Sequence, residues 1–219
     1  MDLGSLDLRL QPFPHGFVAG PVWPTDIYRD LVESFPSHLL AAPLERPIMV
    51  KHSLSGRSNL EAFHKFLEDS RIWRAFAAYL YGPLFDGHIR RVLLDRGVQL
   101  RDGSYRARFE FSWLHRDGYV RPHTDAVQKV VSIVCPMVLE DWQPAWGGAT
   151  EILEPIEGQS PVEFDRWERF RTIDSYPFQS NTANLLLRTD RSWHGVRCKA
   201  NPIARRSITI NLIQMEDPT

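Results

Sequence analysis

The sequence predicts a mainly β fold with some α-helix, namely a double-stranded β-helix (jelly roll) with N-terminal helices packed on one sheet. Apolar residues recur at helical spacing before about residue 100, a period of two begins near Tyr105, and Gly, Pro, Asn and Asp clusters separate the short runs that follow. Many short strands with frequent turns typically form a double sheet or barrel. We expect a single domain over residues 1–219, with a helical lead-in over about 1–100 and a jelly-roll core over about 105–215.

Three helices are predicted in the lead-in. Thr25 can cap the first, Ser58 and Glu61 match a capping box for the second, and Ser70 can cap the third. The third helix is expected to end before Pro83. The apolar stripes are, in chain order, Ile27, Leu31 and Phe35; Leu60, Phe63 and Leu67; and Ile72, Trp73, Phe76 and Leu80.

Eight β-strands are predicted in the second half of the chain. They are Arg106–Leu114, Tyr119–His123, Lys129–Val138, Ala149–Leu153, Phe170–Ile173, Asn184–Arg188, His194–Cys198 and Arg205–Ile213. The connection 154–169 carries no strong pattern, and it is either a lid over a site or an irregular surface loop.

Composition limits the classes of function. Hydrophobic residues make up 43% and charged residues 24% of the chain, which is typical of a globular protein, and the net charge is −1. No basic excess indicates nucleic acid or a membrane surface as a partner. Two cysteines, Cys135 and Cys198, do not make a disulfide framework, and the N-terminus does not resemble a signal peptide. We therefore expect a cytoplasmic protein; its oligomeric state is not predicted.

Two histidines and one aspartate are the candidate metal ligands. His123 and Asp125 stand two apart at the end of a predicted strand, where alternate side chains point to one face, and His194 begins a later strand. Such a set suits non-haem Fe(II) and leaves half of the coordination sphere open. The alternative is a surface histidine beside a turn aspartate, with His194 in the core. Lys129 and Arg121 could orient Asp125, although solvated charges at a strand edge are the simpler interpretation.

Arg205 and Ser207 favour the functional interpretation. In the predicted strand Arg205–Ile213, polar and apolar residues alternate, so the polar set faces either solvent or the barrel interior. In the interior, Arg205 could form a bidentate pair with a carboxylate, and Ser207 could add a hydroxyl group. Arg206 is the competing candidate, but its face carries Ile208 and further apolar residues.

These residues, with their surroundings, resemble the 2-oxoglutarate/Fe(II)-dependent oxygenases, specifically the prolyl-4-hydroxylase-like branch. The matching stretches are Gly118–Asp125, Lys129–Met137, Trp146–Gly148, Ser192–Val196 and Arg205–Thr209. The resemblance implies that His123, Asp125 and His194 are catalytic and bind Fe(II), and that Arg205 and Ser207 bind the C5 carboxylate of 2-oxoglutarate. O2 is then a co-substrate, and ascorbate a candidate reductant.

The resemblance leaves other features open. Halogenating relatives lack the acidic ligand, so the presence of Asp125 favours hydroxylation. A second contact to 2-oxoglutarate could come from Tyr119, Trp113 or Ser132. The substrate pocket could involve Lys51, Arg108 and the tryptophans Trp113, Trp146 and Trp193, although core packing is the simpler interpretation of the tryptophans.

The sequence thus predicts a dioxygenase that couples decarboxylation of 2-oxoglutarate, giving succinate and CO2, to C–H hydroxylation of a small-molecule or amino-acid-like substrate. Hydroxylation of a protein side chain, as in prolyl hydroxylation, and desaturation or cyclisation at the same iron are the alternatives within the family. A non-catalytic, metal-binding jelly roll is the alternative from another class. We expect a small molecule or a peptide as partner, with no nucleic acid and no membrane.

Overall fold

A computed structural model describes residues 1–215 of the chain as a curled β-sheet with four α-helices. The helices are α1 (Thr25–Glu33), α2 (Leu60–Asp69), α3 (Arg71–Tyr81) and α4 (Pro83–Leu94). The strands are β1 (Asp7–Arg9), β2 (His15–Val18), β3 (Ala42–Arg46), β4 (Met49–Ser55), β5 (Tyr105–Leu114), β6 (Tyr119–His123), β7 (Lys129–Pro136), β8 (Gly147–Pro155), β9 (Phe170–Tyr176), β10 (Ala183–Leu187), β11 (His194–Cys198) and β12 (Arg205–Gln214). The expectation of one domain stays a prediction, and its residues 216–219 lie outside the described part.

The strands form one antiparallel path that curls over on itself. Its order is β1-β2-β10-β7-β12-β5-β4-β6-β11-β8-β9, and β3 pairs with β4. β4 joins the two halves, because it pairs with both β5 and β6. The halves face each other: the side-chain amide of Asn184 on β10 donates to the hydroxyl of Thr150 on β8, at 2.8 Å. The predicted jelly-roll architecture is confirmed, and all eight predicted strands are present, each within three residues of the expected bounds.

The helices cover the outer face of the half that contains β5, β7, β10 and β12. Along β5, Phe109 and Phe111 point outward and make edge-on or tilted aromatic contacts with Phe63, Trp73 and Phe76 from the helices. On β12, the isoleucine and leucine positions 208, 210 and 212 join the same apolar core. The predicted packing of N-terminal helices on one sheet is therefore confirmed, and the opposite face of these strands is left to line the interior.

The helix starts differ from the predicted caps. Thr25 is the first residue of α1, and the N-cap is Pro24, which has no side chain to accept a hydrogen bond. The buried residues of α1 are Tyr28, Leu31 and Val32, whereas Ile27 is exposed. The predicted stripe was wrong by one position at its start, because Tyr28 reaches inward to donate its hydroxyl to backbone carbonyls of the β7 region.

The second helix is capped by Asn59 and not by Ser58. The Asn59 side chain accepts a hydrogen bond from the Ala62 amide, while the Ser58 hydroxyl bonds to the carbonyl of Ser53 on β4. Ser70 does hold the N-cap position of α3, but its side chain makes no capping bond. Both Ser58 and Asn59 are residue types that cap helices, but the hydroxyl of Ser58 is bound to β4, so Asn59 caps the helix.

The lead-in also contains more structure than its helical spacing predicted. Pro83 ends α3 and at the same time begins α4, because proline is favoured in the first turn of a helix, where its missing N–H has no partner to lose. Strands β1 to β4 lie in this region as well, and β4 forms part of the wall of the interior. None of the helices within residues 1–215 is long and apolar enough to cross a membrane.

Two leucines near the α3–α4 junction test how far stability depends on the helical layer. Leu80 is 1% exposed and Leu84 is 78% exposed. We expect Leu80→Ala to lower the free energy of unfolding by about 2–5 kcal/mol, because it removes buried methyl groups and leaves a cavity. Leu84→Ala removes the same atoms from a solvated site and should change it by less than about 0.5 kcal/mol. Urea unfolding followed by circular dichroism measures both, and equal effects would contradict the packing described.

Candidate functional site

His123 and His194 are brought together by strand pairing. They are direct partners in the antiparallel pair of β6 and β11, and their ring centroids lie 4.3 Å apart. The Nδ1 of His123 lies 2.8 Å from the carbonyl oxygen of Arg121, and that of His194 lies 2.7 Å from the carbonyl oxygen of Ser192. Each Nδ1–H can therefore donate to the backbone, which leaves each Nε2 with a free lone pair for a metal ion.

Asp125 completes the cluster from a loop and not from a strand. β6 ends at His123, and Asp125 has a φ of 72°, so the same-face argument for alternate strand residues does not apply. Its carboxylate oxygens lie 3.6 Å from Nε2 of His123 and 3.8 Å from Nε2 of His194. One ligand atom from each of the three residues lies within 4.8 Å of the others, a spacing that could hold a metal ion.

Two side chains hold the Asp125 carboxylate in this position. The ammonium group of Lys129 donates to Oδ1 at 2.6 Å, and the hydroxyl of Ser132 lies 2.8 Å from Oδ2. The interpretation of Lys129 as a solvated edge charge was therefore wrong, because the turn after Asp125 folds the lysine back onto the carboxylate. In the sequence, the only indication of this contact was that Lys129 follows Asp125 by four residues. Arg121 does not orient Asp125; its backbone carbonyl accepts a hydrogen bond from His123.

The protonation states suit metal binding. Burial opposes ionisation of Asp125, but Lys129 and the two histidines outweigh it, so the pKa of Asp125 lies well below its ordinary value. Burial first, and then the neighbouring His123, lower the pKa of His194 to about 4. At neutral pH the cluster therefore offers a carboxylate and a neutral imidazole from His194, which are the forms that bind metal ions.

Arg205 is a buried cation on the inward face of β12. It is 3% exposed, and burial lowers its pKa to about 10, so it stays charged at neutral pH. Its Nε donates to the carbonyl of Gly148 at 2.7 Å, its Nη1 donates to the hydroxyl of Ser207 at 3.2 Å, and its guanidinium carbon lies 4.2 Å from the centre of the Phe178 ring. Within residues 1–215, no carboxylate lies within 4.0 Å of this guanidinium.

The Trp-Gly-Gly stretch has a specific role in placing that arginine. Gly148 has a φ of 81°, and a Cβ atom there would lie 3.0 Å from Cδ and 3.3 Å from Nε of Arg205. Gly147 has a φ of 70°, and a Cβ atom there would meet the carbonyl oxygen of Arg197 at 2.6 Å. The absence of a side chain at Gly148 lets its carbonyl lie against the guanidinium and orient it, and the absence of one at Gly147 lets β8 lie close to Arg197 on β11.

A small inner cavity joins the histidine–aspartate cluster to Arg205. Its volume is about 110 Å³, and its walls include all three cluster residues, Arg205 and Ser207. Of the three candidates for a second contact, Ser132 lines this cavity. Trp113 packs on the outer face of β5 against Phe35, and the Tyr119 hydroxyl donates to the carbonyl of Pro47 on the protein surface.

A larger outer cavity of about 1060 Å³ opens in front of His123 and Asp125. Lys51 and Arg108 line it, as the sequence suggested, whereas the tryptophans do not: Trp113 lies in the main core, and Trp146 and Trp193 pack in separate apolar clusters. The tryptophans are therefore structural, because each belongs to a strand face or turn that points away from the interior.

The connection between β8 and β9 reaches over the cluster. Phe164 stacks on the His123 ring, with centroids 5.1 Å apart and planes 11° apart, and its φ of 60° is unusual for a non-glycine residue. The neighbouring Glu163 accepts hydrogen bonds from both the amide and the hydroxyl of Thr124. Nothing in the sequence of this connection signalled these contacts, because they depend on two distant segments meeting.

No family model matches the chain, and no curated protein matches it. Solved structures do. A prolyl-4-hydroxylase from Pseudomonas putida aligns with a TM-score of 0.59 at 16% identity, covering 92% of this chain and 94% of that one. HygX from Streptomyces hygroscopicus, solved with nickel and 2-oxoglutarate bound, aligns with a TM-score of 0.54 at 13% identity, covering 92% and 83%.

The chain has the fold of the 2-oxoglutarate/Fe(II) oxygenases. The predicted resemblance is confirmed at this level. The same fold is found in SnoN, an α-ketoglutarate-dependent epimerase from nogalamycin biosynthesis, with a TM-score of 0.60, 12% identity and coverage of 91% and 76%. The fold therefore supports more than one reaction, and the site has to decide the chemistry.

Metal titration tests the cluster directly. We expect the purified chain to bind one equivalent of Co(II) under anaerobic conditions, and His194→Ala to weaken that binding by more than about a hundredfold, because loss of a ligand should cost more than loss of an outer-shell partner. His64→Ala is the matched control, since His64 is an exposed histidine on α2. Isothermal titration calorimetry measures both affinities. Equal losses in the two variants would show that the metal binds elsewhere.

Proposed function

We propose that this protein is a 2-oxoglutarate-dependent Fe(II) oxygenase that hydroxylates a small molecule. The observation that carries the proposal is Arg205, a buried and charged guanidinium without a carboxylate partner among residues 1–215, at one end of a cavity whose other end is the His123–Asp125–His194 cluster. A buried charge is costly unless it is paired, so the cavity suits an anionic co-substrate. A metal-binding jelly roll without catalysis has no need of such a group.

The cluster fits the metal that the proposal requires. Two imidazole nitrogens and one carboxylate oxygen form the set of ligands that non-haem Fe(II) takes in oxygenases, and they leave coordination positions for other ligands. Bound Fe(II), with 2-oxoglutarate and O2, supplies the oxidising chemistry, including release of succinate and CO2. Lys129 and Ser132 hold the Asp125 carboxylate, and the backbone carbonyls of Arg121 and Ser192 orient the two imidazoles.

Arg205 and Ser207 fit the far carboxylate of 2-oxoglutarate. A planar guanidinium can donate two parallel hydrogen bonds to a carboxylate, and the Gly148 carbonyl and the Phe178 ring already fix its orientation. The preorganised arginine then directs the oxo-acid end of the molecule toward the metal ligands. Phe164 covers one face of the His123 ring where the cluster meets the outer cavity, and Glu163 beside it is held by Thr124.

The outer cavity fits a small-molecule substrate. Its volume of about 1060 Å³ lies near the upper end of ligand pockets, and His123 and Asp125 form part of its wall. A carbon atom of a bound molecule can therefore lie next to the metal. A peptide or protein side chain is the second candidate substrate for the same chemistry.

The two cysteines are free and buried, which fits the reducing, cytoplasmic location included in this proposal.

A spectroscopic measurement tests the cofactor pair. We expect the anaerobic protein with Fe(II) and 2-oxoglutarate to show the visible charge-transfer band of a chelated 2-oxo acid. Asp125→Ala should lose the band, because the metal loses its carboxylate ligand. Absence of the band in the unaltered protein would reject the proposal.

Two adjacent arginines allow a matched test of the carboxylate clamp. Arg205→Ala should raise the 2-oxoglutarate concentration for half-maximal band formation by at least about thirtyfold, because it removes a buried charge partner. Arg206→Ala should leave this concentration within about twofold, since Arg206 points to the other face of β12, with its guanidinium carbon 5.7 Å from the Phe35 ring. A circular dichroism melt of each variant checks folding. A larger effect at Arg206 would show that the clamp has been misassigned.

A further inference from the structure

The outer cavity carries more cationic than anionic side chains. Its charged lining residues are Lys51, Arg57, Arg106, Arg108, Lys129 and Arg188 on the positive side, and Glu110, Asp125 and Glu163 on the negative side. This excess is local, because the net charge of the whole chain is −1. It therefore reflects how the fold concentrates arginines at one place.

Three arginines of this set form no salt bridge among the described residues, whereas the other cations each have a carboxylate partner. Lys51 forms a salt bridge with Glu110, and Lys129 forms one with Asp125. Glu163 is engaged by Thr124. Arg188 forms a salt bridge with Asp190 at 2.8 Å. Within residues 1–215, no carboxylate lies within 4.0 Å of the three remaining arginines, which we call the arginine cluster: Arg57, Arg106 and Arg108.

Strand geometry brings the arginine cluster together. Arg106 and Arg108 stand two apart on β5, so both side chains point to the same face. β4 pairs with β5 so that Ser55 is opposite Glu110, and the turn that follows β4 then carries Arg57 toward Arg108. Burial lowers the pKa of Arg108 most, and the positive charges of Arg57 and Arg106 lower it further.

The arginine cluster contains a buried donor without a partner among residues 1–215. Arg57 and Arg106 are exposed, so solvent screens much of the repulsion among the three charges, but the Nη1 of Arg108 is buried without a hydrogen-bond partner. The Nε of Arg188, in the wall of the same cavity, is also buried without one. A bound oxyanion would satisfy these donors and offset the repulsion, with the short charge-assisted hydrogen bonds that guanidinium groups form.

The strand register relates the arginine cluster to the metal cluster through Ser132. Arg108 pairs with Asn211 across β5 and β12, and Asn211 pairs with Ser132 across β12 and β7. Ser132 in turn contacts the carboxylate of Asp125. Two strand spacings, about 10 Å, therefore separate the backbone of Arg108 from that of Ser132. If one molecule reaches both clusters, several bonds therefore separate its anionic group from the carbon atom that lies at the metal.

We propose, resting on the function proposed above, that the substrate is a small molecule with a carboxylate or phosphate group, which the arginine cluster binds while a carbon several bonds away lies at the metal cluster. A small molecule is favoured over a nucleic acid, because the cations line a cavity shared with His123 and Asp125 rather than forming a long surface stripe. The arginine cluster is then the group that selects the substrate, and Arg205 serves only the co-substrate.

Anion binding tests the arginine cluster without any turnover. The probe is inorganic phosphate, titrated by calorimetry into the metal-free chain carrying Arg205→Ala, so that the Arg205 guanidinium in the inner cavity cannot bind the probe. We expect phosphate to bind, and the further substitutions Arg57→Ala or Arg108→Gln to weaken binding by about tenfold or more. Arg91→Ala, an exposed arginine on α4, is the charge-matched control and should leave binding unchanged. Phosphate binding that is insensitive to the arginine cluster, or absent, overturns the proposal.

A matched panel then identifies the anionic group. Carboxylic acids are compared with their amides, and phosphate monoesters with their parent alcohols, by succinate release from the Fe(II)-loaded protein. We expect only anionic members to stimulate release, and the concentration of the best compound for half-maximal release to rise about tenfold or more in Arg108→Gln. Equal stimulation by neutral partners overturns the proposal. So does stronger competition by an RNA oligonucleotide or an acidic peptide than by any small anion.

The two proposals can fail separately. If the Fe(II)–2-oxoglutarate band is absent, the oxygenase proposal fails, and the phosphate titration still decides whether the arginine cluster binds anions. If the band forms but phosphate binding does not depend on Arg57 or Arg108, only the substrate assignment fails. An unchanged melting profile for Arg57→Ala, whose side chain is exposed, would show that weaker binding does not come from unfolding.

Discussion

The strands β5, β7 and β12 have to satisfy two different environments at once. Their outward side chains pack against the helices as an apolar layer, and their inward side chains line an interior that contains charged groups. Because side chains alternate along a strand, every second residue is committed to one of these environments. This constraint places Arg205 and Ser207 inside while Ile208 and Ile210 join the core, and a shift of one residue in register would exchange the two sets.

Charged residues follow one another in a fixed order along the interior. From the inner end toward the mouth, the inward residues of β5 and β12 begin at the Arg205 clamp, pass Glu110 with its partner Lys51, and end at the arginine cluster. Asp125 is held between these ends by Lys129 and Ser132. Glu110 and Asp125 each have an internal cation. Arg205 and the arginine cluster have no internal anion among the described residues, and so they are the positions where ligands of opposite charge fit.

The two unpaired positions suggest a division of labour along one cavity system. The inner cavity is small, and one of its lining residues, Arg205, packs directly against Gly148. It suits one defined molecule. The outer cavity is about ten times larger and is partly covered by the connection that carries Phe164. Because that connection holds Phe164 with a positive φ against His123, its conformation is tied to the cluster, and a substrate that enters must meet this aromatic side chain.

The sequence by itself determined the elements whose pattern is local. The period of two from Tyr105 onward located all eight strands of the core, and the alternation along Arg205–Ile213 separated a polar face from an apolar face. Helical spacing located α1, α2 and α3. It missed α4, because Pro83 acts both as a stop and as a first-turn residue, and it missed β1 to β4, whose short strands depend on partners far away in the chain.

The tertiary structure alone decided how distant residues meet. It set the register that puts His123 opposite His194, and it brought Asp125 to them from a left-handed loop position and not from a strand. It gave Lys129 a partner, and it placed Arg57, Arg106 and Arg108 around one cavity. The physical reason is that periodicity records which face a residue prefers, whereas contacts between segments depend on strand register, turn conformation and burial, which no short stretch of sequence contains.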